Sequence, residues 1–304
     1  MRKFGSRTWS ESKLDCVEEY ARAYLRVMQN QNWCRLDYVD AFAGRGKQTL
    51  KSGSILSEAE EFFGGPSERE DTEDFLIGSA LRALRTEKDG IRCFDRYLFV
   101  DTDKTCLEQL ETHVRQEYQY ANHKVNFICG NANSKLREYV RGIDWEKTRA
   151  LVFLDPYGLE VGWNLIKELA DTRACDVWYL FPLGGVTRLM ANDGQIPDAW
   201  ATRLDQLFGT GGWRQEFYRP SAQRSLFSED KATFLKDAPT KRIVEYIRDR
   251  LATVFAAVSD IGVLRNSKGA PLFALLLGVS NPSRAATEKA LRIANHLVKG
   301  LNQP

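Results

Sequence analysis

Leu36-Asp-Tyr-Val-Asp-Ala-Phe-Ala-Gly-Arg-Gly46 decides how the rest of the chain is read. The apolar, aromatic-rich residues 36–42 have the character of a buried strand. The run delivers Asp40 and then enters a turn holding Phe42, Gly44 and Gly46. In a doubly wound sheet, ligands sit at such a carboxyl end. Glycine there lets the backbone approach a ligand and take φ values that other residues avoid.

Outward from this stretch the same pattern repeats. Apolar runs at Tyr97–Val100, Val125–Cys129, Ala150–Leu154 and Val177–Phe181 read as strands. Helical spacing separates them over 75–88, 104–118, 133–141 and 163–172, and another helix over 10–29, with Ser10 as its cap, precedes the first strand. Strands alternating with helices predict an α/β fold with a doubly wound, mostly parallel sheet. Residues 47–90 form an excursion after the glycine turn, with a short helix in its first part. Residues 182–240 break the rhythm and read as an inserted helical and irregular subdomain, an expected substrate-recognition element. A helix over 241–255, apolar stretches 255–263 and 272–279 around the turn Asn266-Ser-Lys-Gly-Ala-Pro271, and a helix over 284–299 close the chain as an antiparallel hairpin and a final helix. All 304 residues are expected to form one domain.

Composition narrows the classes. With 43 Lys+Arg against 41 Asp+Glu the net charge is +2, so no global field announces a nucleic-acid partner and any such contact must be local. The six cysteines are scattered without a C-x-x-C pair and only three histidines accompany them, which argues against a metal site. Several cysteines lie in apolar runs, Cys129 among them, and read as small buried hydrophobes in a reducing compartment. No apolar stretch is long enough to span a bilayer, and Met1-Arg-Lys-Phe-Gly-Ser-Arg7 has no signal-type apolar region. These features predict a cytoplasmic protein.

The strand ends point to one cofactor. Strand one brings Asp40, Gly44 and Gly46; strand two brings Asp101 and Thr102; strand three is followed by Asn131 and Ala132; strand four ends in Asp155-Pro156-Tyr157-Gly158. A carboxylate at the second position can accept from ribose hydroxyls, and a polar group after the third can read an adenine edge. No third glycine completes a dinucleotide fingerprint, and Lys47 does not complete a phosphate-binding loop. S-adenosylmethionine, which has no pyrophosphate to cradle, suits the shortened motif, with S-adenosylhomocysteine as product. Asp155, Pro156 and Tyr157 are the candidate catalytic residues: acid and proline carbonyl accept from an exocyclic amine while the aromatic stacks on an extruded base. Amine methyltransferases use [D/N/S]-P-P-[Y/F/W]; here the second proline is missing and the aromatic arrives one place early. Asp103 reads as the cap of the helix that follows strand two. Arg45 and Lys47 are candidate substrate contacts beside the turn, and Lys13 is a candidate for the cofactor carboxylate. Arg188, Trp213 and Arg219 belong, with Arg203 and Arg224, to an interleaved basic and aromatic stretch able to stack bases and neutralise phosphates.

The segments VDAFAGRG (39–46), IGSALRAL (77–84), LFVDTD (98–103), FLDPYGLEV (153–161) and LFPLGGVTRL (180–189), with Thr8-Trp-Ser-Glu-Ser-Lys-Leu14, resemble the three-Cys-motif partner (TcmP) proteins over nearly the whole chain. The resemblance implies a class I methyltransferase-like, Rossmann-like fold of seven strands in the order 3-2-1-4-5-7-6, strand seven antiparallel. It also implies a partner protein carrying three cysteines. The glycine loop, the excursion and the Gly-Ser segment are similar, too, to a bacterial ribosomal-RNA adenine-N6 methyltransferase. Two functions follow as expectations: a methyltransferase acting on nucleic acid, first on an adenine amino group, or a non-catalytic binding protein that works with its genomic partner, with defence against phage as one setting. The oligomeric state is not encoded in any of these features.

Overall fold

The computed structural model describes residues 8–49, 75–86, 92–220 and 234–302. Helix α1 (Trp9–Val27) begins in a capping box: Thr8 Oγ1 accepts from Glu11 N, and Glu11 Oε2 accepts from Thr8 N. The cap is therefore Thr8 and not Ser10, because Glu11 completes the reciprocal pair only with Thr8. Strand β1 (Arg35–Asp40) leads to the glycine turn and to β2 (Lys47–Thr49), which pairs antiparallel with β3 (Phe75–Ile77). Helix α2 (Ser79–Arg85) follows. The helix expected over 75–88 is thus a strand and then a helix. The strand forms because Gly78 N donates to Gly46 O at 2.7 Å and returns the excursion onto the glycine turn. Residues 50–74, with the expected short helix, lie outside the described residues.

Next come β4 (Arg96–Asp101), α3 (Lys104–Glu117), β5 (Val125–Cys129), α4 (Ala132–Arg141), β6 (Thr148–Leu154), α5 (Trp163–Asp171) and β7 (Cys175–Phe181). The 182–240 segment contains α6 (Leu183–Leu189), α7 (Asp198–Phe208), α8 (Trp213–Phe217) and the short pair β8 (Tyr218–Pro220) and β9 (Phe234–Lys236). Its Leu204, Phe208, Trp213 and Phe217 join one continuous core with the sheet. Helix α9 (Thr240–Ala252), β10 (Ala257–Val258), β11 (Gly262–Arg265), β12 (Pro271–Val279) and α10 (Arg284–Leu301) end the described chain.

In space the main sheet runs β10–β12–β7–β6–β1–β4–β5, with β11 also on β12. Pairs from β5 to β7 are parallel, and β12 is antiparallel to β7. With β10 and β11 taken as one interrupted edge strand, the order is 3-2-1-4-5-7-6, that of a class I methyltransferase-like fold. The interruption falls at Ser259, whose N donates to Leu277 O and whose Oγ accepts from Leu277 N. The single strand expected over 255–263 is therefore two short pieces, because a side chain takes over one ladder bond. Cys16, Cys34 and Cys175 are buried as expected, but Cys129 is exposed. It ends β5, which has a strand neighbour on one side only among the described residues. Among the described residues, no helix is long and apolar enough to cross a membrane.

A buried carboxylate fixes the register on which the site depends. Asp37 is 1% exposed and stands opposite Arg96 on β4. It accepts from Arg96 (2.5 Å), Arg35 (3.1 Å) and the Tyr139 hydroxyl of α4 (2.8 Å). This network ties β1, β4 and α4 together at one end and aligns Asp40 and Asp101 at the other. Asp37→Ala leaves three donors without their acceptor; because both arginines are partly open to water, we expect a loss of roughly 2–3 kcal/mol, below that of a fully buried pair. Urea unfolding should show the midpoint falling while the slope stays constant.

Candidate cofactor and active site

The carboxyl ends of β1, β4, β5 and β6 meet in one place. Beyond β1, the glycine turn passes through Gly44 (φ +60°) and Gly46 (φ +83°). The positive φ demands glycine at 46, and a Cβ there would also stand 2.8 Å from the Leu110 side chain of α3, which would have to shift. The turn is anchored to the neighbouring strand end: Gly44 N donates to Asp101 Oδ2 and Asp103 N to Asp101 Oδ1, each at 2.8 Å. Asp103 caps α3, accepting from Thr105 N and Cys106 N. Thr102 is exposed at the rim.

After β5, Asn131 caps α4 by accepting from Asn133 N (3.0 Å) and Ser134 N (3.4 Å), and Ala132 is buried behind it. Asn133 reaches across to the loop after β6. Its Nδ2 donates to Glu160 O at 2.7 Å, and its Oδ1 accepts from Gly162 N at 2.9 Å. This double bond pair holds the 155–162 loop against α4. Nothing in the residue pattern distinguished Asn133 from other polar residues near a helix start.

Asp155 ends β6 in a largely buried ion pair, with Lys13 Nζ 2.5 Å from its Oδ2. Lys13 also lies over the Trp9 ring, which stacks on Phe273 of β12. Helix α1 thus delivers a cation to the fourth strand end. Lys13 was expected at a cofactor carboxylate; its observed partner is a carboxylate of the protein. Pro156 is buried and Tyr157 is 68% exposed, its ring open to the solvent side of the site.

Asp40 is fully buried at the end of β1. Its Oδ1 accepts from Phe42 N, whose ring packs against the core, while Oδ2 has no partner at full hydrogen-bond geometry among the described residues, the Ser79 hydroxyl lying nearby. Burial pushes its carboxyl up to about 7, with Asp155 and Asp101 adding repulsion; the nearby Ser79 hydroxyl and the Phe42 N–H only partly offset this. Glu160 is also raised, first by desolvation and then by Asp101. Asp40, Asp101, Asp155 and Glu160 therefore face a common region that favours positive charge.

The expected substrate-contact residues do not form one surface. Arg45 is exposed beside the turn, and Lys47 is ion-paired with Glu117 at the end of α3. Trp213 is fully buried, its indole N–H bonded to Asp205 and its ring under Arg214. It is a core residue and offers no face to a base, because the segment's aromatic residues pack inward onto Phe208 and Tyr246. Arg219 bonds to the Gln215 carbonyl and lies 3.9 Å from Asp237; Arg214 pairs with Asp205 and Arg242 with Glu216. The basic stretch is largely neutralised by its own acids. Arg188 is exposed at the end of α6, and Arg224 lies outside the described residues. No group of three potential metal ligands occurs among the described residues.

No family model matches the chain, and no curated protein matches its sequence. Among solved structures, a DUF519-family protein from Legionella pneumophila is similar at 13% identity, covering 92% of this chain and 90% of its own, with a TM-score of 0.45. A putative S-adenosylmethionine-dependent methyltransferase from Listeria monocytogenes has 8% identity, coverage of 86% and 98%, and a TM-score of 0.34. An S-adenosylmethionine-dependent methyltransferase from Clostridium acetobutylicum has 11% identity, coverage of 86% and 92%, and a TM-score of 0.32. The fold assignment rests on this chain's own sheet order.

The buried Asp40 has a consequence for stability. Its folded-state value of about 7 lies above the ordinary 3.8. The folded form therefore holds its proton more tightly, and that stabilising contribution is lost as pH rises through about 7. Between about pH 5.5 and 8 the ligand-free protein should lose about 2 kcal/mol from this group. Asp40→Asn should remove that part of the pH dependence. Denaturation at both pH values checks it, and equal slopes for the two proteins would show that Asp40 does not titrate there.

Proposed function

We propose that the chain is an S-adenosylmethionine-dependent methyltransferase acting on nucleic acid, with an adenine amino group as the first acceptor to test. The observation that carries the reading is the gathering of Asp40, Asp101 and Asp155 at neighbouring strand ends, with exposed Tyr157 following Asp155. The residues suit the cofactor. Asp40 Oδ2 is a buried acceptor lacking a donor, complementary to a cationic amine. Each Asp101 oxygen holds one backbone N–H and keeps a lone-pair site for a ribose hydroxyl. Asn131 and Ala132 are the proposed adenine contacts, Asn131 through its amide N–H groups since its Oδ1 caps α4. When bound, the cofactor supplies an electrophilic methyl group on a sulfonium.

The chain's own part is positioning. Asp155 and the Pro156 carbonyl accept hydrogen bonds from the acceptor amine and turn its lone pair outward. Tyr157 supplies a stacking face for an extruded base. Lys13 fixes the Asp155 carboxylate, and Asn133 holds the loop carrying it. Gly44, Gly46, Phe42 and Thr102 shape the cofactor side, with exposed Arg45 beside the turn and exposed Arg188 on α6 as the proposed substrate contacts. That segment is proposed as the substrate-recognition element.

A second reading has its own support. Asp155 is already neutralised by Lys13, and the Asp-Pro-Tyr-Gly sequence departs from the amine-methyltransferase pattern. Both features suit a non-catalytic protein that keeps the fold and binds a three-Cys-motif partner, the reading to which the TcmP-like segments also point.

Calorimetry should detect S-adenosylmethionine and S-adenosylhomocysteine with micromolar to sub-millimolar affinity. Absence of both at millimolar concentration would remove the cofactor assignment. With labelled cofactor and mixed RNA and DNA acceptors, Asp155→Ala should lower turnover by about 100-fold or more, the scale of losing a positioned acid–base group, while cofactor affinity stays within a few-fold. Cofactor binding without transfer to any acceptor, with stable capture of the partner, would favour the binding protein.

A further inference from the structure

A cleft of about 500 Å³ lies between α1 and α10, lined in part by Glu19, Arg22, Arg26, Arg292 and His296 over an aliphatic floor. Residues 19, 22 and 26 share one face of α1, and 292 and 296 share one face of α10. Three guanidiniums stand against the Glu19 carboxylate. Arg22 also pairs with Glu18, but Arg26, Arg292 and His296 have no hydrogen-bond or ion-pair partner among the described residues. Most of the described arginines are bonded to carboxylates or carbonyls, as Arg82, Arg92, Arg96, Arg137, Arg214 and Arg250 are. Two unpaired guanidiniums lining one cleft with a third arginine set this face apart, in a molecule whose net charge is only +2.

We propose that this cleft binds the phosphodiester backbone of the nucleic-acid substrate, away from the base that reacts. The proposal rests on the nucleic-acid reading above and adds where the strand is held. Helix α1 links the two places: Lys13 lies at the strand ends, and Arg26 is 13 residues further along the helix, about 20 Å at 1.5 Å per residue. That span is about six nucleotides at a rise of ~3.4 Å. Guanidinium groups suit phosphate oxygens through paired N–H donors. The aliphatic floor, with no Phe, Tyr or Trp among the lining residues and His296 as the one ring, suits a backbone contact rather than base stacking.

Fluorescence anisotropy with labelled single strands tests this. The probes are oligonucleotides of about 20 and about 4 nucleotides, titrated between about 50 and 200 mM salt. Arg26→Gln/Arg292→Gln should weaken binding of the long strand about 10-fold at low salt and lower the slope of log K against log salt by about 1.4, two phosphate contacts at ~0.7 each. The short strand should be unaffected, and Arg26→Lys/Arg292→Lys should restore much of the salt slope. Both sites are on the surface, and a thermal melt confirms folding. An unchanged long-strand affinity and slope would overturn the proposal, as would an equal loss for both strands. Loss of binding to a Glu-rich peptide with nucleic-acid binding intact would also overturn it and make the cleft a protein-docking face. If the wild-type protein binds neither RNA nor DNA, the substrate class falls with the cleft, whereas cofactor calorimetry judges the methyltransferase reading separately.

Discussion

The site depends on a carboxylate that holds a glycine turn. Asp101 receives the N–H of Gly44 from one strand end and that of Asp103 from its own, so two neighbouring strand tips are joined through a single side chain. Gly44 and Gly46 take positive φ to make this geometry, and Leu110 and Leu81 fill the space that a larger residue at 46 would need. The same turn receives the returning excursion through the Gly78–Gly46 bond. On the other side of the crevice, Asn133 joins α4 to the loop after β6. The crevice is thus closed on both flanks by side chain-to-backbone bonds between elements distant in sequence. Backbone that is already satisfied in this way needs little reorganisation when a ligand arrives.

Acidic groups dominate the interior of the crevice and cations are held at its edges. Asp40 is kept without a partner for one oxygen, at a cost in stability whenever it ionises. Lys13 reaches the crevice only because α1, which precedes the first strand, packs against α2, α10 and β11 with its first turn at the strand ends. The first helix is therefore part of the site and also part of the α1–α10 cleft. One element connects the strand ends that carry Asp40, Asp101 and Asp155 to the basic α1–α10 cleft.

Much of the fold was legible from period and punctuation. The five parallel strands, their helices and the final antiparallel pairing follow from apolar runs closed by Asp, Gly and Asn, signals that act locally. The strand-end residues were legible for the same reason, since Asp40, Asp101, Asn131 and Asp155 each end a run. What could not be read depends on contacts between distant residues. Phe75–Ile77 is a strand because it meets Lys47–Thr49 across 25 intervening residues, although its own sequence continues a helical pattern. Trp213 and Arg219 looked like a nucleic-acid surface until packing placed the indole in the core and Asp205, Glu216 and Asp237 beside the arginines. Arg26 and Arg292, separated by almost the whole chain, become neighbours only through the packing of two helices.

The convergence of strand tips on a single adenosyl site is tested most directly by hydrogen exchange with and without S-adenosylhomocysteine. Slowed exchange should be confined to backbone amides in 41–47, 101–106, 130–135 and 155–162, the segments that carry Gly44, Asp101, Asn131 and Asp155. Protection that spares these four segments together, or that appears at the α1–α10 cleft instead, would contradict a shared cofactor crevice.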